Sequence, residues 1–368
     1  MPKTYLNALL LITLVAAPFL SAQSREVCSR YKNIPLPLEA TGSSVPEVSP
    51  SCDSYKSYAG IGRDPDYAAA FACAWKERAA QAAQLPQNPG SNLSWVVGGS
   101  LILSDLYANG RGTPQNIPLA IHFACEGKEA FVSDAFTDLE SRVDHPKATK
   151  PFDLCDYAGN TFEMNFCASY GYERSNAAHD READALARNW PAGHKTKFVA
   201  ARKAYGTYVE TVQRDETYMG GTIRDLRALS AAEALQEDFA AALKRFESGK
   251  LPHASAIDYK IQDADLNRVF QEALSSAKRT IASDKTDSLP SEEEIQPAGI
   301  RKTERAWLAY RDAWVAFATL HYLGTTREAW LDELTRSRVH RLLLLACDGE
   351  PNEKLCTPAI LNEIESQH

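Results

Sequence analysis

Beyond its first two dozen residues the sequence has no apolar run approaching the roughly 20 residues that a bilayer span requires. It also has no surplus of positive charge. Lys and Arg number 40 against 48 Asp and Glu, giving a formal net charge of -8 and a pI near 5.6. The cationic footprint needed on nucleic acid or on an anionic membrane is therefore missing. There is no C-x-x-C, no H-E-x-x-H and no Cys/His set at zinc spacing, so neither a metal nor a cofactor is expected. His179 near Asp180 and Asp184 could form a weak metal site on a helix face, but a solvated histidine is the better reading. A G-x-S-x-G elbow is absent. The carboxylates of Glu292 to Glu294 sit in a polar loop with nothing to raise one pKa above its neighbour's. S-x-x-K spacing occurs at Ser275 to Lys278 and at Ser29 to Lys32, but the S-D-N and K-T-G elements that complete a penicillin-reactive site do not. Catalysis is not expected on these grounds, and no catalytic residue is assigned.

What is present starts with a leader. MPKTYLNALLLITLVAAPFLSAQS has one early lysine, an apolar run from Leu9 to Leu20 and small residues at Ser21 and Ala22. That layout predicts a secretory signal peptide over residues 1–22. The nearest cysteine, Cys28, is too far from Ala22 for a lipoprotein, so release into a bacterial periplasm or beyond is expected, with no membrane insertion after cleavage. All eight cysteines (Cys28, Cys52, Cys73, Cys125, Cys155, Cys167, Cys347 and Cys356) follow the leader. An even number in an oxidising compartment predicts disulfides, although eight cysteines allow about a hundred connectivities. One pairing is local: in ACDGEPNEKLC, Cys347 and Cys356 flank a Gly/Pro turn and would clip the C-terminal tail, residues 347–368, to the last helix.

Residues 23–58 read as a Pro/Ser-rich arm held by Cys28 and Cys52. Two related stretches follow, YAGIGRDPDYAAAFACAWKERA from Tyr58 and YANGRGTPQNIPLAIHFACEGKEA from Tyr107. Each runs from a Tyr through a G-x-G turn into an alanine-rich helix, with Phe71-Ala-Cys73 set against Phe123-Ala-Cys125. LSDLYANGRGTPQNIPLAIHFACE resembles a Sel1-like repeat, so residues 59–146 are expected to form helical hairpins of the kind that bind other proteins.

From about residue 155 every segment has apolar spacing near 3.6 residues and none alternates like a strand. In TERAWLAYRDAW and the residues after it, Trp307, Tyr310, Trp314 and Phe317 fall on one helical stripe, which predicts core. Arg311 and Asp312 lie beside that stripe, where an arginine can pair a carboxylate on a neighbouring helix. The pattern recurs: Ala204-Tyr205-Gly-Thr-Tyr208 matches Ala306-Trp307-Leu-Ala-Tyr310, and Tyr218-Met-Gly-Gly-Thr-Ile-Arg224 matches Tyr322-Leu-Gly-Thr-Thr-Arg327. Residues 150–250 and 256–346 thus read as two copies of one helical unit. The two G-T turns, with Gly221, Thr222, Arg224, Thr325 and Arg327, start helices where an anion could be held, although capping alone accounts for the same residues.

DADLNRVFQEAL with Asp265 and Asn267, then ERAWLAYRDAW with Trp307, Tyr310, Arg311 and Asp312, then TRSRVHRLLLL, together resemble the domain named after the lysozyme inhibitor LprI. CDYAGNTFEMNFCASY is similar to that domain's cysteine-bearing start. The resemblance implies an all-α, disulfide-stapled binding protein of the cell envelope whose partner is a lysozyme, blocked sterically. A helical-repeat adaptor without inhibitory activity is the alternative.

Overall fold

The computed structural model describes residues 25–41, 52–84, 99–126, 133–145, 150–159, 161–283, 293–347 and 356–358. The expected signal peptide lies outside them, as do residues 42–51 of the arm and most of the tail. Among the described residues the regular structure is entirely helical, with no strand. Residues 25–31 form α1. It is followed by α2 (Ser54–Ala59), α3 (Tyr67–Gln84), α4 (Gly99–Asn109), α5 (Ile117–Glu126), α6 (Ser133–Asp144), α7 (Thr161–Ala187), α8 (Ala192–Asp215), α9 (Arg224–Glu247), α10 (Ala256–Ser283), α11 (Pro297–His321) and α12 (Arg327–Cys347). The chain divides into two compact units, Met1–Ala178 and His179–His368. Residues 150–178, read from sequence with the first helical copy, fall in the N-terminal unit.

In the N-terminal unit, α2 with α3 and α4 with α5 form two hairpins closed by the same turn. Ile61 N–H donates to the Lys56 carbonyl at 2.9 Å and Asp66 N–H to that of Ser57 at 2.9 Å. Fifty residues on, Arg111 N–H donates to the Leu106 carbonyl at 3.0 Å and Asn116 N–H to that of Tyr107 at 3.0 Å. Both turns need glycine, because Gly60, Gly62, Gly110 and Gly112 all have φ between 63° and 76°, where a side chain is strained. The helices that follow are capped alike: the Asp66 carboxylate accepts from Ala69 N–H at 2.9 Å and the Asn116 side chain from Leu119 N–H at 3.1 Å. The turn geometry therefore aligns residues 50 apart. This places Phe71 opposite Ile121 and corrects the motif match of Phe71-Ala-Cys73 with Phe123-Ala-Cys125.

The core between these hairpins is built on Trp75, Tyr107 and Phe123. Trp75 meets Phe123 edge-on at 5.2 Å and Tyr107 stacks on Phe123 at 5.6 Å. Arg78 lies over both Trp75 and Phe123 and grips Glu126 with two bonds of 2.7 and 2.6 Å. Burial pulls the Glu126 carboxyl upward, but bonds from Arg78, His122 and Ser100 outweigh it and hold the group at about 2. Beside this pair the Cys28–Cys125 disulfide ties α1 to α5, so the arm is held through Cys125 rather than through Cys52. Cys155–Cys167 fastens the 3₁₀ turn Leu154–Tyr157 to α7. Cys52 and Cys73 carry free thiols, and burial followed by contact with Cys52 pushes the Cys73 thiol up to about 12.

In the C-terminal unit, α8 and α11 pack along each other more extensively than any other helix pair, and α10 packs on α12 next. The stripe read from sequence is core: Trp307, Tyr310, Trp314 and Phe317 are between 0% and 7% exposed. At roughly 1.5–3 kcal/mol per buried large side chain, this one helix face contributes a substantial part of the unit's stability. Close approach at one end is secured by small groups. A Cβ on Gly299 would sit 2.9 Å from the Asp215 carbonyl oxygen, and the buried Thr303 hydroxyl donates to the Thr211 carbonyl at 3.3 Å. Pro297 opens α11, where its fixed φ suits the first turn and its missing N–H has no partner to lose. The Cys347–Cys356 disulfide, across a sequence separation of 9, ties Cys356 to the end of α12.

Candidate functional site

The two related motifs meet face to face. Tyr205 and Tyr208 on α8 and Trp307 and Tyr310 on α11 project toward the seam between these helices. Tyr208 and Tyr310 are parallel, with ring centroids 6.1 Å apart, and Tyr205 lies 4.7 Å from Tyr310. Above them, α9 and α12 stand apart as walls, leaving a cleft of about 420 Å³ that these four rings floor. The cleft is bridged by an ion pair from Arg245 on α9 to Glu333 on α12. Arg341 on α12 faces Asp238 on α9, and the Asp238 carboxyl is raised, first by burial and then by Glu237. Burial drives the Tyr205 and Tyr310 hydroxyls well above the usual phenol range and raises that of Tyr208, so all three stay protonated.

Behind the floor is a charge cluster. The Arg338 side chain is 0% exposed and donates two bonds to Glu216, at 2.8 and 2.6 Å. It donates a third to Glu304 at 2.9 Å and a longer one to the Tyr208 hydroxyl at 3.4 Å. Arg341 Nε lies 3.8 Å from the same Glu216, so two arginines face two carboxylates and the cluster is neutral overall. Glu304 is raised by burial in spite of Arg338. Sequence reasoning passed over Arg338. The available signal was its register: Trp330, Leu334, Arg338 and Leu342 are all buried at four-residue spacing, so this arginine occupies an apolar stripe position.

A second cleft of about 370 Å³ lies among α7, α8 and α9. Its rim is ion-paired: Arg202 holds both Asp180 and Asp184, and Lys244 holds Glu182 at 2.8 Å. The acidic groups beside His179 are thus spent on arginine. Among the described residues no group of three His, Cys, Asp or Glu side chains is placed to hold a metal.

The other residues singled out from sequence do not converge on one site. Arg311 pairs with its chain neighbour Asp312 at 2.9 Å and lies over the Trp307 ring at 5.3 Å, which corrects the expected pairing with another helix. Asp265 pairs with Arg268 at 3.3 Å, and the Asn267 amide donates to the Asp263 carbonyl at 2.8 Å; both belong to the surface of α10. Gly221, at φ 76°, and Thr222 precede α9, where Arg224 is 3.9 Å from Asp225. At the start of α12 the cap is Thr326, which accepts from Ala329 N–H at 3.2 Å. Thr325 instead donates to the Pro252 carbonyl at 2.6 Å, binding the turn to the segment before α10. Arg327 is exposed. Ser275 spends its hydroxyl on the Gln271 carbonyl at 2.9 Å within α10, away from any helix start where a nucleophile would be activated.

The turn before α12 and the segment before α10 make one end of the C-terminal unit. Leu323 there is 89% exposed, and Ile257, two residues beyond Ser255 at the start of α10, is 71% exposed. His253, Ser255, Gly324 and Thr325 line a shallow depression between them.

No curated protein and no solved structure shows a match to the chain. Residues 250–342, which contain α10, α11, most of α12 and this end of the unit, match the family model described as Lysozyme inhibitor LprI.

Proposed function

We propose that the protein is an exported envelope protein that binds a lysozyme and blocks it sterically. The match of residues 250–342 to the lysozyme-inhibitor family carries the reading. Three disulfides among the described residues suit an oxidising, extracytoplasmic compartment. The leader over residues 1–22 would deliver the chain there. A net charge of -8 complements a basic enzyme and accelerates the encounter. The contacting element in this reading is the end of the C-terminal unit that presents Leu323 and Ile257. Exposed apolar side chains of this kind serve as interface anchors, where a few residues carry most of the binding energy.

Leu323→Asp tests this placement. The side chain supports no core, so the variant should fold with wild-type stability while its inhibition of lysozyme weakens at least about tenfold. Undiminished inhibition by a folded Leu323→Asp protein would move the contact elsewhere. A second role, as an adaptor, is favoured by the N-terminal unit. Its two hairpins share one turn geometry, as a Sel1-like pair would, and such hairpins offer a surface for another envelope protein.

A further inference from the structure

We propose that the cleft between α9 and α12 binds a small aromatic anion, with its carboxylate or phosphate directed at Arg341 and its ring over the tyrosine floor. This site lies beyond the lysozyme reading and does not depend on it. The volume, about 420 Å³, falls in the range of small-molecule sites, roughly 300–1,000 Å³.

The choice of ligand follows from which groups on the lining are already satisfied. Arg338 is fully engaged by Glu216 and Glu304, and Arg245 is paired with Glu333 through one terminal nitrogen. Two donors on the lining have no acceptor: Trp314 Nε1, in a residue 1% exposed, and Arg341 Nε. Glu216, the carboxylate nearest Arg341, is 3.8 Å away and already accepts twice from Arg338. A buried donor without a partner costs about 1–3 kcal/mol, and a ligand that brings acceptors relieves that cost. Tyr205, stacked on Phe239 at 4.5 Å and 4.7 Å from Tyr310, makes with them an apolar aromatic lining for a planar body. Asp238 on the facing wall disfavours a negative ligand near it, which places the head group on the Arg341 side, and Glu333 is already paired with Arg245.

The test is calorimetric titration of the oxidised full-length protein with benzoate, indole-3-acetate and phenyl phosphate. Benzamide, indole-3-acetamide and benzylamine serve as neutral and cationic counterparts. At least one acid should bind saturably at one site per chain, benzoate or indole-3-acetate about tenfold or more tighter than its amide and phenyl phosphate by the same margin over benzamide. The indole N–H resonance that disappears in Trp314→Phe should shift with it. Whichever of carboxylate and phosphate binds better identifies the head group. Arg341→Gln should remove the preference for acid over amide, and Arg341→Lys should keep it. No saturable binding by any of the three acids, equal binding of acid and amide, or tighter binding of the amine would overturn the proposal. So would an unchanged preference in Arg341→Gln. Should that variant fail to fold, the acid-to-amide ratio in the wild type and in Arg341→Lys, with the Trp314 resonance, decides the matter.

Discussion

Arg338 enters the core of the C-terminal unit with its side chain 0% exposed, and its partners determine what a substitution there costs. Removing one member of a buried ion cluster leaves an uncompensated charge in low dielectric, a loss of about 3–5 kcal/mol. Arg338→Met should therefore lower the urea midpoint of unfolding by that equivalent, followed by tryptophan fluorescence. Adding Glu216→Leu and Glu304→Leu should restore much of it, because the whole cluster is then replaced by apolar groups. A loss of under about 1 kcal/mol for Arg338→Met alone would mean that the cluster is solvated. This was the least legible layer of the sequence. An arginine in TRSRVHRLLLL looks like surface until its four-residue register with Leu334 and Leu342 is noticed; Glu216 lies outside the quoted motifs, and Glu304, which opens ERAWLAYRDAW, carries no local sign that it is buried. The aromatic stripe was legible because Trp307, Tyr310, Trp314 and Phe317 share one face at helical period, and such a face has to be buried wherever the chain goes.

At the scale of elements, the two hairpin turns of the N-terminal unit show how far glycine pattern alone reaches. G-x-G after an apolar helix announces a left-handed turn, and both turns form. The register of the following helices does not follow Phe-Ala-Cys, which is a composition match; the turn hydrogen bonds fix the alignment. Two substitutions separate strain from contact. Gly62→Ala should cost about 1 kcal/mol from its positive φ alone, because nothing lies within 4 Å of the new Cβ. Gly112→Ala adds a Cβ 2.3 Å from the Tyr67 carbonyl oxygen, so its loss of stability should be clearly the larger in a denaturant titration; equal losses would contradict the close approach. In the C-terminal unit, α8, α9 and α11 are joined by histidine. His194 Nδ1 is 2.8 Å from His321 Nδ1, His321 Nε2 is 3.3 Å from Glu247, and the Tyr322 hydroxyl donates to Glu247 at 2.7 Å. Burial lowers His321, Glu247 opposes this and His194 adds to it. A histidine whose folded pKa lies below its unfolded value gives stability above the unfolded pKa and loses it as pH falls. The melting temperature should therefore drop between about pH 7.5 and 5.5 more in wild type than in His321→Phe, which retains the stacking on Trp190 and Phe317. His122 is raised through Glu126 and acts in the opposite sense in the same window, so the difference between the two proteins, not the wild-type slope, is the informative quantity. An identical pH dependence in both would rule out the histidine contribution.

On the scale of the whole molecule, the disulfides and the family match over residues 250–342 support the proposed reading of an extracytoplasmic binding protein. The Cys28–Cys125 bond closes a loop with a sequence separation of 97, the kind of closure that restricts an unfolded chain most, by about 4–5 kcal/mol in the chain-entropy account. Connectivity of that kind cannot be read from spacing, whereas the separation of 9 between Cys347 and Cys356 could. The all-helical class was legible from periodicity, and the likeness to the inhibitor family from ADLN and AWLAYRDAW. The cleft under α9 and α12 was not, because a cleft is set by how far apart two walls stand and no local pattern records that distance. The most direct measurement of the central claim is a titration of lysozyme-driven cell-wall lysis with the oxidised protein from Gln23 onward, across several lysozyme types and at low and moderate salt. Loss of lysis at near-equimolar protein against at least one type, weakening as salt screens the charges, is the predicted result. Full lysis by every type at large excess of folded protein would contradict it.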